Sequence, residues 1–198
     1  MGSLLLFKNL SRRYSTPQAV QKLIRTFAYN QEKSGPSVRS ALSTWKLKRA
    51  HCLEASFLAA AILEHRGYPP LVMSLESKDG LDHVLFIFRE KGKWGAISRS
   101  REDGLHGRAP VFLSLRALAL SYYDSFIDET GKLTGYGIAN LDEMNCSWRD
   151  SNRNVEKAEK YLIDMPHKKI RSSLKRYFRL LKLFRLSGQT SKLKKNRW

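Results

Sequence analysis

Two side chains in this sequence are suited to nucleophilic chemistry together, Cys52 and His83, which lie 31 residues apart. Cys52 opens a stretch rich in Ala and Leu, so we expect it to begin a helix. Unpaired N–H groups and the positive end of the helix dipole lower the pKa of a thiol there. The same N–H groups can stabilise the oxyanion of an acyl-transfer intermediate. His83 begins an apolar stretch typical of a strand and is the candidate base.

A third group is needed to orient the imidazole, and the hairpin register indicates where it lies. Lys91-Gly92 predicts a two-residue turn between two strands. Opposed residues then have numbers that add up to 183, which sets His83 opposite Ser100. Ser98 falls on the same face as His83, and diagonal neighbours are about 7–8 Å apart at Cα. We therefore predict that a hydroxyl on this strand, first that of Ser98, orients the imidazole.

Periodicity and turn residues predict the elements that carry these groups. We expect helices over residues 17–29, 38–45, 52–65, 113–123 and 152–163, and strands over residues 71–75, 82–89 and 94–100. The helix that begins at Cys52 is apolar nearly all round, which predicts a buried central helix. The Gly-rich residues 131–137 favour a surface loop. A central helix followed by a strand meander predicts an α+β fold, with this helix packed on a small antiparallel sheet.

The order of these motifs resembles the transglutaminase-like superfamily, whose fold is papain-like. The resemblance covers residues 45–100. It comprises Cys52 at the head of an Ala-rich helix, Gly67-Tyr68-Pro69 after that helix, His83 before apolar residues, and Trp94. The shorter motifs resemble an uncharacterised bacterial group within this superfamily: Arg49-Ala50-His51-Cys52-Leu53-Glu54-Ala55, Asp82-His83-Val84-Leu85, Trp94-Gly95-Ala96-Ile97-Ser98 and Gly104-Leu105-His106-Gly107-Arg108. The resemblance implies a catalytic triad of cysteine, histidine and aspartate.

The sequence departs from the superfamily pattern at the third position of the triad. The aspartate is expected four residues after Trp94, where this chain has Ser98. A hydroxyl can accept from the imidazole N–H, but it stabilises imidazolium less than a carboxylate does. Asp79, Asp103 and Glu76 are other carboxylates that can replace the aspartate, and the sequence does not choose among them.

Each of these residues also has a simpler interpretation. A free cysteine is usually buried and inert, and a strand histidine is commonly satisfied by hydrogen bonds. Cys146 has no neighbouring base, and we interpret it as structural. His51 and His65 flank the central helix and are expected to be capping or surface residues. His106 lies in a Gly-rich segment and is expected to belong to a turn, with a place in the cleft as the alternative.

The charge of the chain is uneven, with 36 Lys and Arg against 18 Asp and Glu. No acid follows Asp164, and residues 166–198 contain twelve of the basic side chains. Residues 173–186 predict a basic amphipathic helix. Its expected apolar side contains Leu174, Tyr177, Phe178, Leu181 and Phe184. Residues 168–198 can dock on the core, bind an anionic membrane surface or bind an acidic partner. Nucleic acid is disfavoured because no recognised motif accompanies the charge.

The length favours one core, with a transglutaminase-like domain at residues 16–150 between an extension at residues 1–15 and a basic helical extension at residues 151–198. Two cysteines are too few for a disulfide scaffold, and the short apolar run at residues 4–7 is no signal peptide. We expect a cytoplasmic protein, peripheral to the membrane if the basic tail binds lipid. No cofactor is expected, and no metal site, because the cysteines are far apart and no histidine pair has ligand spacing beside them.

These expectations lead to one functional prediction and one alternative. The chain is predicted to be a cysteine-dependent acyl-transfer enzyme, an amide or isopeptide hydrolase or a transamidase, that acts on a peptide or protein amide. Cys52, His83 and Ser98 are its predicted catalytic residues. The alternative is a weak or inactive transglutaminase-like binding module that its basic tail recruits to a membrane or an anionic partner.

Overall fold

A computed structural model describes residues 2–32 and 35–187 and is an α+β structure, as predicted. In chain order the helices of the described residues are α1 (Ser3–Arg13), α2 (Pro17–Arg25), α3 (Ala41–Leu47), α4 (Cys52–Leu63), α5 (Leu115–Leu120), α6 (Glu156–Asp164) and α7 (Leu174–Ser187). The strands are β1 (Ala28–Tyr29), β2 (Arg49–Ala50), β3 (Leu71–Ser77), β4 (His83–Glu90), β5 (Lys93–Ile97), β6 (Arg108–Phe112), β7 (Leu133–Asn140) and β8 (Lys168–Lys169). None of the helices in these residues has the length and apolar character needed to cross a membrane.

The main sheet of the described residues has six strands in the order β6-β5-β4-β3-β7-β8, and every neighbouring pair is antiparallel. Helices cover both of its faces. Val84 and Phe86 of β4 belong to the apolar cluster around α4. Leu85 and Ile87 belong to the cluster that contains α5 and part of α7. Burial on both faces explains why β4 is apolar without alternation.

The helix α4 is buried from Leu53 to Leu63, as its sequence predicted. Alanines at residues 59–61 leave space for its neighbours, so α1, α2 and α3 pack closely on it. The helix continues into a turn of 3₁₀-helix and ends at Gly67, whose φ of 80° suits glycine. This packing fixes the position of Cys52, which is the first residue of α4.

The β4–β5 hairpin has the predicted turn and register. Lys91 and Gly92 have φ values of 47° and 77°, the positive values that a two-residue type I′ turn requires. Phe86 pairs with Ile97, so opposed residues do have numbers that add up to 183. This register carries the chain after Ile97 past the start of β4, where the candidate base lies.

The prediction of a surface loop at residues 131–137 is wrong, because Leu133–Asn140 form β7 beside β3. A Cβ at Gly137 would lie 2.1 Å from Met165 Cε, and one at Gly135 would lie 3.1 Å from His167 Cβ. The segment that leads to β8 therefore crosses close over these glycines. They permit close packing rather than a turn.

Three further helix expectations differ from the structure. The first predicted helix ends at Arg25 instead of residue 29, because Ala28–Tyr29 pair in parallel with β2. Ser3–Arg13 form a helix that the sequence analysis did not predict, and its apolar residues join the core. On α7, Leu174 and Phe178 of the predicted apolar side are exposed, whereas Leu181 of that side is buried together with Leu180, which was not assigned to it. The predicted tail at residues 188–198 lies outside the described residues.

The β4–β5 hairpin provides a test of the fold. Gly95 pairs with Phe88, and a Cβ there would lie 2.5 Å from Phe88 Cζ and 2.9 Å from Arg108 O. Since neither atom is the free end of a flexible side chain, Gly95→Ala should lower the free energy of unfolding by about 2 kcal/mol. Urea unfolding followed by circular dichroism measures it. Gly2→Ala is the control, because its Cβ would meet nothing within 4 Å. Equal stability of the two variants would contradict the close packing of β4 on β5.

Candidate active site

Cys52 is the first residue of α4, is partly exposed and lines a cleft. Among the residues that the structure describes, no acceptor takes a hydrogen bond from the Cys52 N–H. This N–H lies at the positive end of the helix dipole, on the residue that carries the thiol. It can therefore donate to an oxyanion formed when the sulfur attacks a carbonyl.

His83 is the first residue of β4 and is buried. Its Nε2 lies 2.7 Å from Leu105 O and 3.1 Å from Ser98 Oγ. A carbonyl oxygen only accepts, so the hydrogen-bond pattern assigns the ring proton to Nε2. The lone pair is then on Nδ1. The Cys52 thiol lies within hydrogen-bonding reach of the His83 side chain, which makes His83 the group that can take its proton.

Ser98 follows β5 directly and is buried beside the start of β4. Its hydroxyl donates to Val84 O at 2.9 Å, which leaves an oxygen lone pair for the N–H of His83. Its backbone is fixed by Gln21 of α2, whose Nε2 donates to Ser98 O and whose Oε1 accepts from Ser98 N, each at 3.0 Å. The structure thus brings Cys52, His83 and Ser98 together.

The nearest acceptor to the His83 N–H is the carbonyl of Leu105, at the end of a short 3₁₀-helix. Arg108 holds this loop, because its buried guanidinium donates to Gly104 O at 2.7 Å and to His106 O at 2.8 Å. The guanidinium also lies over a tyrosine ring, with its Cζ 3.9 Å from the ring centroid. Residues 104–108 were expected to form a turn, and this turn presents a backbone carbonyl to the base.

The three carboxylates that were alternatives for the third position bind elsewhere. Asp79 accepts from Ser77 Oγ at 2.6 Å, and Glu76 accepts from Thr134 Oγ1 at 2.8 Å. Asp103 is exposed, and its Oδ1 lies 3.8 Å from the imidazole of His106. Within residues 2–32 and 35–187, the acceptors of the His83 N–H are uncharged.

His51 caps the helix that Cys52 begins, as expected. Its Nδ1 accepts from Leu53 N at 3.2 Å, and its Nε2 donates to Ser37 O at 2.7 Å. Glu54 completes a capping box, because its carboxylate accepts from His51 N at 3.0 Å. The same fully buried carboxylate also accepts from Asn30 Nδ2 and from a backbone N–H of the preceding loop. Glu54 therefore joins the start of α4 to residues 30–39.

The two imidazoles change the acidity of the thiol. Burial raises the pKa of Cys52, but hydrogen bonds to His51 and His83 and their positive charges outweigh it, and the pKa lies well below its ordinary value. Burial likewise lowers the pKa of His51, but the hydrogen bond to Cys52, the thiolate charge and Glu54 raise it to about 9. The hydrogen bond from Leu53 N belongs to neutral His51. The charge of the thiolate favours the protonated form of His51.

Cys146 and His106 have different environments. Burial raises the pKa of the Cys146 thiol, so this cysteine is less acidic than usual. His106 is buried outside the cleft lining, and burial together with the charges of Arg25 and Arg99 lowers its pKa to about 4. Its side chain is thus neutral near pH 7. The expected turn position of His106 agrees with this placement.

The cleft beside Cys52 has a volume of about 1030 Å³. It is lined by residues 29–32, the β3–β4 turn and residues 100–105, among others. A space of this size can enclose several residues of a peptide. In the described part of the chain, no three His, Cys, Asp or Glu side chains are grouped so that they could hold a metal ion.

No protein-family model matches the chain, and no curated protein is significantly similar to it in sequence.

Several residues of the site were not predicted from the sequence. Gln21 supports Ser98 from a helix 77 residues away in the chain, and no local pattern indicates such a contact. The carbonyl of Leu105 is invisible in a sequence, because every residue has one. For His51 a signal existed, since a polar residue three positions before Glu54 is the pattern of a capping box. This pattern predicts the cap but not its contact with the thiol.

The capping box can be tested by stability. Glu54→Gln preserves the size of the side chain but replaces one acceptor oxygen with a donor, so the N–H groups of His51 and Arg39 cannot both keep a partner. We expect the free energy of unfolding to fall by about 2 kcal/mol, measured by urea unfolding. Glu143→Gln on the exposed surface is the control. A Glu54→Gln variant as stable as this control would show that the carboxylate does not hold the start of α4.

Proposed function

We propose that this protein is a cysteine-dependent acyl-transfer enzyme of the transglutaminase-like, papain-related class, and that it hydrolyses an amide or isopeptide bond. The observation that carries the proposal is Cys52, a partly exposed thiol of lowered pKa at the first position of a buried helix, between two imidazoles and beside a cleft. A merely structural cysteine has no need of this environment. The α+β fold, with a central helix on an antiparallel sheet, agrees with the resemblance found in the sequence.

In the proposed reaction, the Cys52 thiolate attacks the carbonyl carbon of the amide, and the C–O π electrons move to the oxygen. The Cys52 N–H donates to this oxyanion. Protonated His83 gives its Nδ1 proton to the leaving nitrogen, the C–N bond breaks, and an acyl-enzyme and a free amine result. Water then attacks the thioester while His83 takes one of its protons. Collapse of the second intermediate releases the carboxylic acid and restores the thiolate and the imidazolium.

The third position of the proposed triad, after Cys52 and His83, determines how well His83 serves both as base and as acid. Leu105 O and Ser98 Oγ accept from its Nε2 and fix the ring, which leaves the lone pair on Nδ1. Both acceptors are neutral, so they orient imidazolium but stabilise its charge less than a carboxylate does. The positive charge of the ion pair is shared with His51 in this proposal. Transamidation, in which an amine replaces water at the thioester, uses the same groups, and hydrolysis is proposed because water needs no second binding site.

The proposal is tested by the pH dependence of Cys52 alkylation with iodoacetamide, followed by peptide mass spectrometry. Because the pKa of Cys52 is lowered, its alkylation rate should level off at a lower pH than that of a free thiol, whose pKa is about 8.5. Cys146 is the control in the same chain. Its pKa is raised, so its rate should still be rising at pH about 8.5.

Two variants identify the source of the lowered pKa. His83→Ala removes the proposed base and should move the alkylation profile of Cys52 to higher pH. His51→Asn replaces one good N-cap residue with another and removes an imidazole, so the profile should also move up while α4 stays capped. Slow alkylation of Cys52 with the profile of a free thiol, unchanged in both variants, would refute the enzyme proposal.

The alternative, a binding module recruited by its basic C-terminal region, has one specific observation in its favour. Leu174 and Phe178 of α7 are 67% and 59% exposed, and basic side chains of the same helix, among them Lys175 and Arg179, are exposed beside them. Apolar and basic groups together on one helix surface suit an anionic membrane. Recruitment and catalysis are compatible, so this surface is an addition to the enzyme proposal unless Cys52 proves inert.

Vesicle sedimentation tests the membrane surface. We expect the protein to bind vesicles that contain phosphatidylserine, to bind phosphatidylcholine vesicles weakly, and to dissociate as salt is raised. Phe178→Ser should weaken binding several-fold because it removes an apolar anchor. Leu113→Ser is the matched control, because Leu113 is 79% exposed outside α7. Equal binding to both vesicle types, or equal effects of the two variants, would argue against membrane recruitment by α7.

A further inference from the structure

The charge of the cleft is opposite to that of the whole chain. The chain has a net charge of +18, with 36 basic and 18 acidic residues. Seven of the acidic residues line the cleft, among them Glu32, Asp79, Asp82 and Glu159, whereas Arg101 is the one Lys or Arg that lines it within the described residues. More than a third of the acidic side chains of this strongly basic protein therefore line the cleft that contains the candidate nucleophile.

The cleft carboxylates differ from five acids outside the cleft that lie within ion-pair distance of an arginine, namely Glu54, Glu64, Asp124, Glu129 and Asp142. Glu64 lies 2.6 Å from Arg149, and Glu129 lies 2.9 Å from Arg185. In the described parts of the chain, none of the seven cleft carboxylates forms an ion pair with Lys or Arg. Where their contacts are known they are to neutral donors, as in the 2.7 Å hydrogen bonds from Ser77 N to Asp82 and from Ser37 N to Glu32. In the described residues their charges are thus not neutralised by an ion pair with Lys or Arg.

The acidic residues of the cleft come from separate parts of the chain. Glu32 and Glu159 come from the loop after β1 and from α6, and both lie near enough to influence each other. Burial raises the pKa of Glu159, and the charges of Glu32 and Cys52 raise it further, although His51 opposes them. Asp79 and Asp82 belong to the turn that leads into His83, and both line the same cleft.

The turn on the His83 side shows the same mutual repulsion. Burial raises the pKa of Asp82, and the neighbouring charges of Glu76 and Asp79 act in the same direction, against the hydrogen bond from Ser77 N. Negative charges that repel one another in a partly enclosed cleft produce a concentrated negative potential. A cationic ligand relieves this repulsion, and an anionic ligand increases it.

We propose that the acyl substrate of this cleft is a cationic peptide, with Lys or Arg side chains on both sides of the bond that Cys52 attacks. The inference rests on the proposed function and specifies its substrate class. Glu32 and Glu159 bind the basic residues on the His51 side, and Asp79 and Asp82 bind those on the His83 side. Acidic peptides, which the basic body of the protein attracts, are rejected at the cleft because their carboxylates face unpaired carboxylates.

The potential at Cys52 is measured first, with three small thiol reagents. Iodoacetamide is neutral, trimethylammonioethyl methanethiosulfonate is a cation, and sulfonatoethyl methanethiosulfonate is an anion. With either thiosulfonate, the Cys52 thiolate forms a mixed disulfide and methanesulfinate leaves with the electron pair of the broken S–S bond. The ratio of the cation rate to the anion rate at Cys52 should exceed the ratio for 2-mercaptoethanol by about tenfold or more, and raised salt should reduce it.

Variants then identify the residues that produce the negative potential at Cys52. Glu32→Gln and Asp82→Asn each retain an acceptor oxygen for the backbone N–H that donates to the side chain. Each of these two variants, and Glu159→Gln as a third, should lower the ratio of the cation rate to the anion rate severalfold. Glu143→Gln, on the exposed surface, is the control that removes the same charge outside the cleft and should leave the ratio unchanged. A ratio at Cys52 equal to that of 2-mercaptoethanol, or one that responds to Glu143→Gln as much as to the cleft variants, overturns the proposal.

The substrate class is measured with two matched peptide aldehydes, acetyl-Lys-Ala-Lys-Gly-al and acetyl-Glu-Ala-Glu-Gly-al. Each can add reversibly to the thiolate as a hemithioacetal and so protect Cys52 from iodoacetamide. The lysine peptide should protect at a concentration at least about tenfold lower than the glutamate peptide. Equal protection, or better protection by the glutamate peptide, overturns the cationic substrate.

The two proposals fail in different ways in these experiments. If Cys52 reacts with iodoacetamide as a low-pKa thiolate but shows no charge preference, the enzyme proposal stands and the substrate class is wrong. If Cys52 keeps the profile of a free thiol but prefers the cationic reagent, the cleft potential is real and the enzyme proposal is wrong. Because the substrate proposal rests on the enzyme, it is then overturned as well.

Discussion

The start of α4 is the point on which the site depends, because it must satisfy two opposing demands. A helix N-terminus leaves N–H groups without partners, and a buried one is costly unless side chains cap it. His51 and Glu54 supply that cap. Yet the Cys52 N–H is left without an acceptor among the described residues, beside the thiol. The cap therefore stabilises the helix and leaves uncapped the N–H that an oxyanion needs.

The orientation of His83 shows how a backbone group can serve where a side-chain carboxylate is absent. The chain has Ser98 at the position that the superfamily pattern gives to aspartate, and the loop of Arg108 brings Leu105 O to 2.7 Å from the imidazole. A carbonyl fixes the tautomer as well as a carboxylate does, because either accepts the Nε2 proton. It carries no net charge, so it orients the imidazole without placing a negative charge beside it.

The sequence was informative where local chemistry determines the structure, and uninformative where distant segments meet. The start of the helix at Cys52 and the register of the β4–β5 hairpin could be predicted, because a propensity pattern and a turn dipeptide specify them. The support of Ser98 by Gln21 could not, since it joins residues 77 positions apart. The strand β7 was missed for a related reason. Its glycines resemble those of a loop, but Gly137 is needed because Met165 lies over it, and that contact is tertiary.

Net charge is a poor guide to what the cleft binds, and the distribution of charge explains why. Arginines neutralise acids such as Glu64 and Glu129 outside the cleft, whereas the cleft acids have hydroxyl and backbone donors. A hydrogen bond from a neutral donor fixes a carboxylate without cancelling its charge, so these side chains keep their field. In a narrow space with few counter-charges, that field is screened less than on the open surface. A basic protein can thus attract anions to its surface and cations to its cleft, and our substrate proposal rests on the second preference.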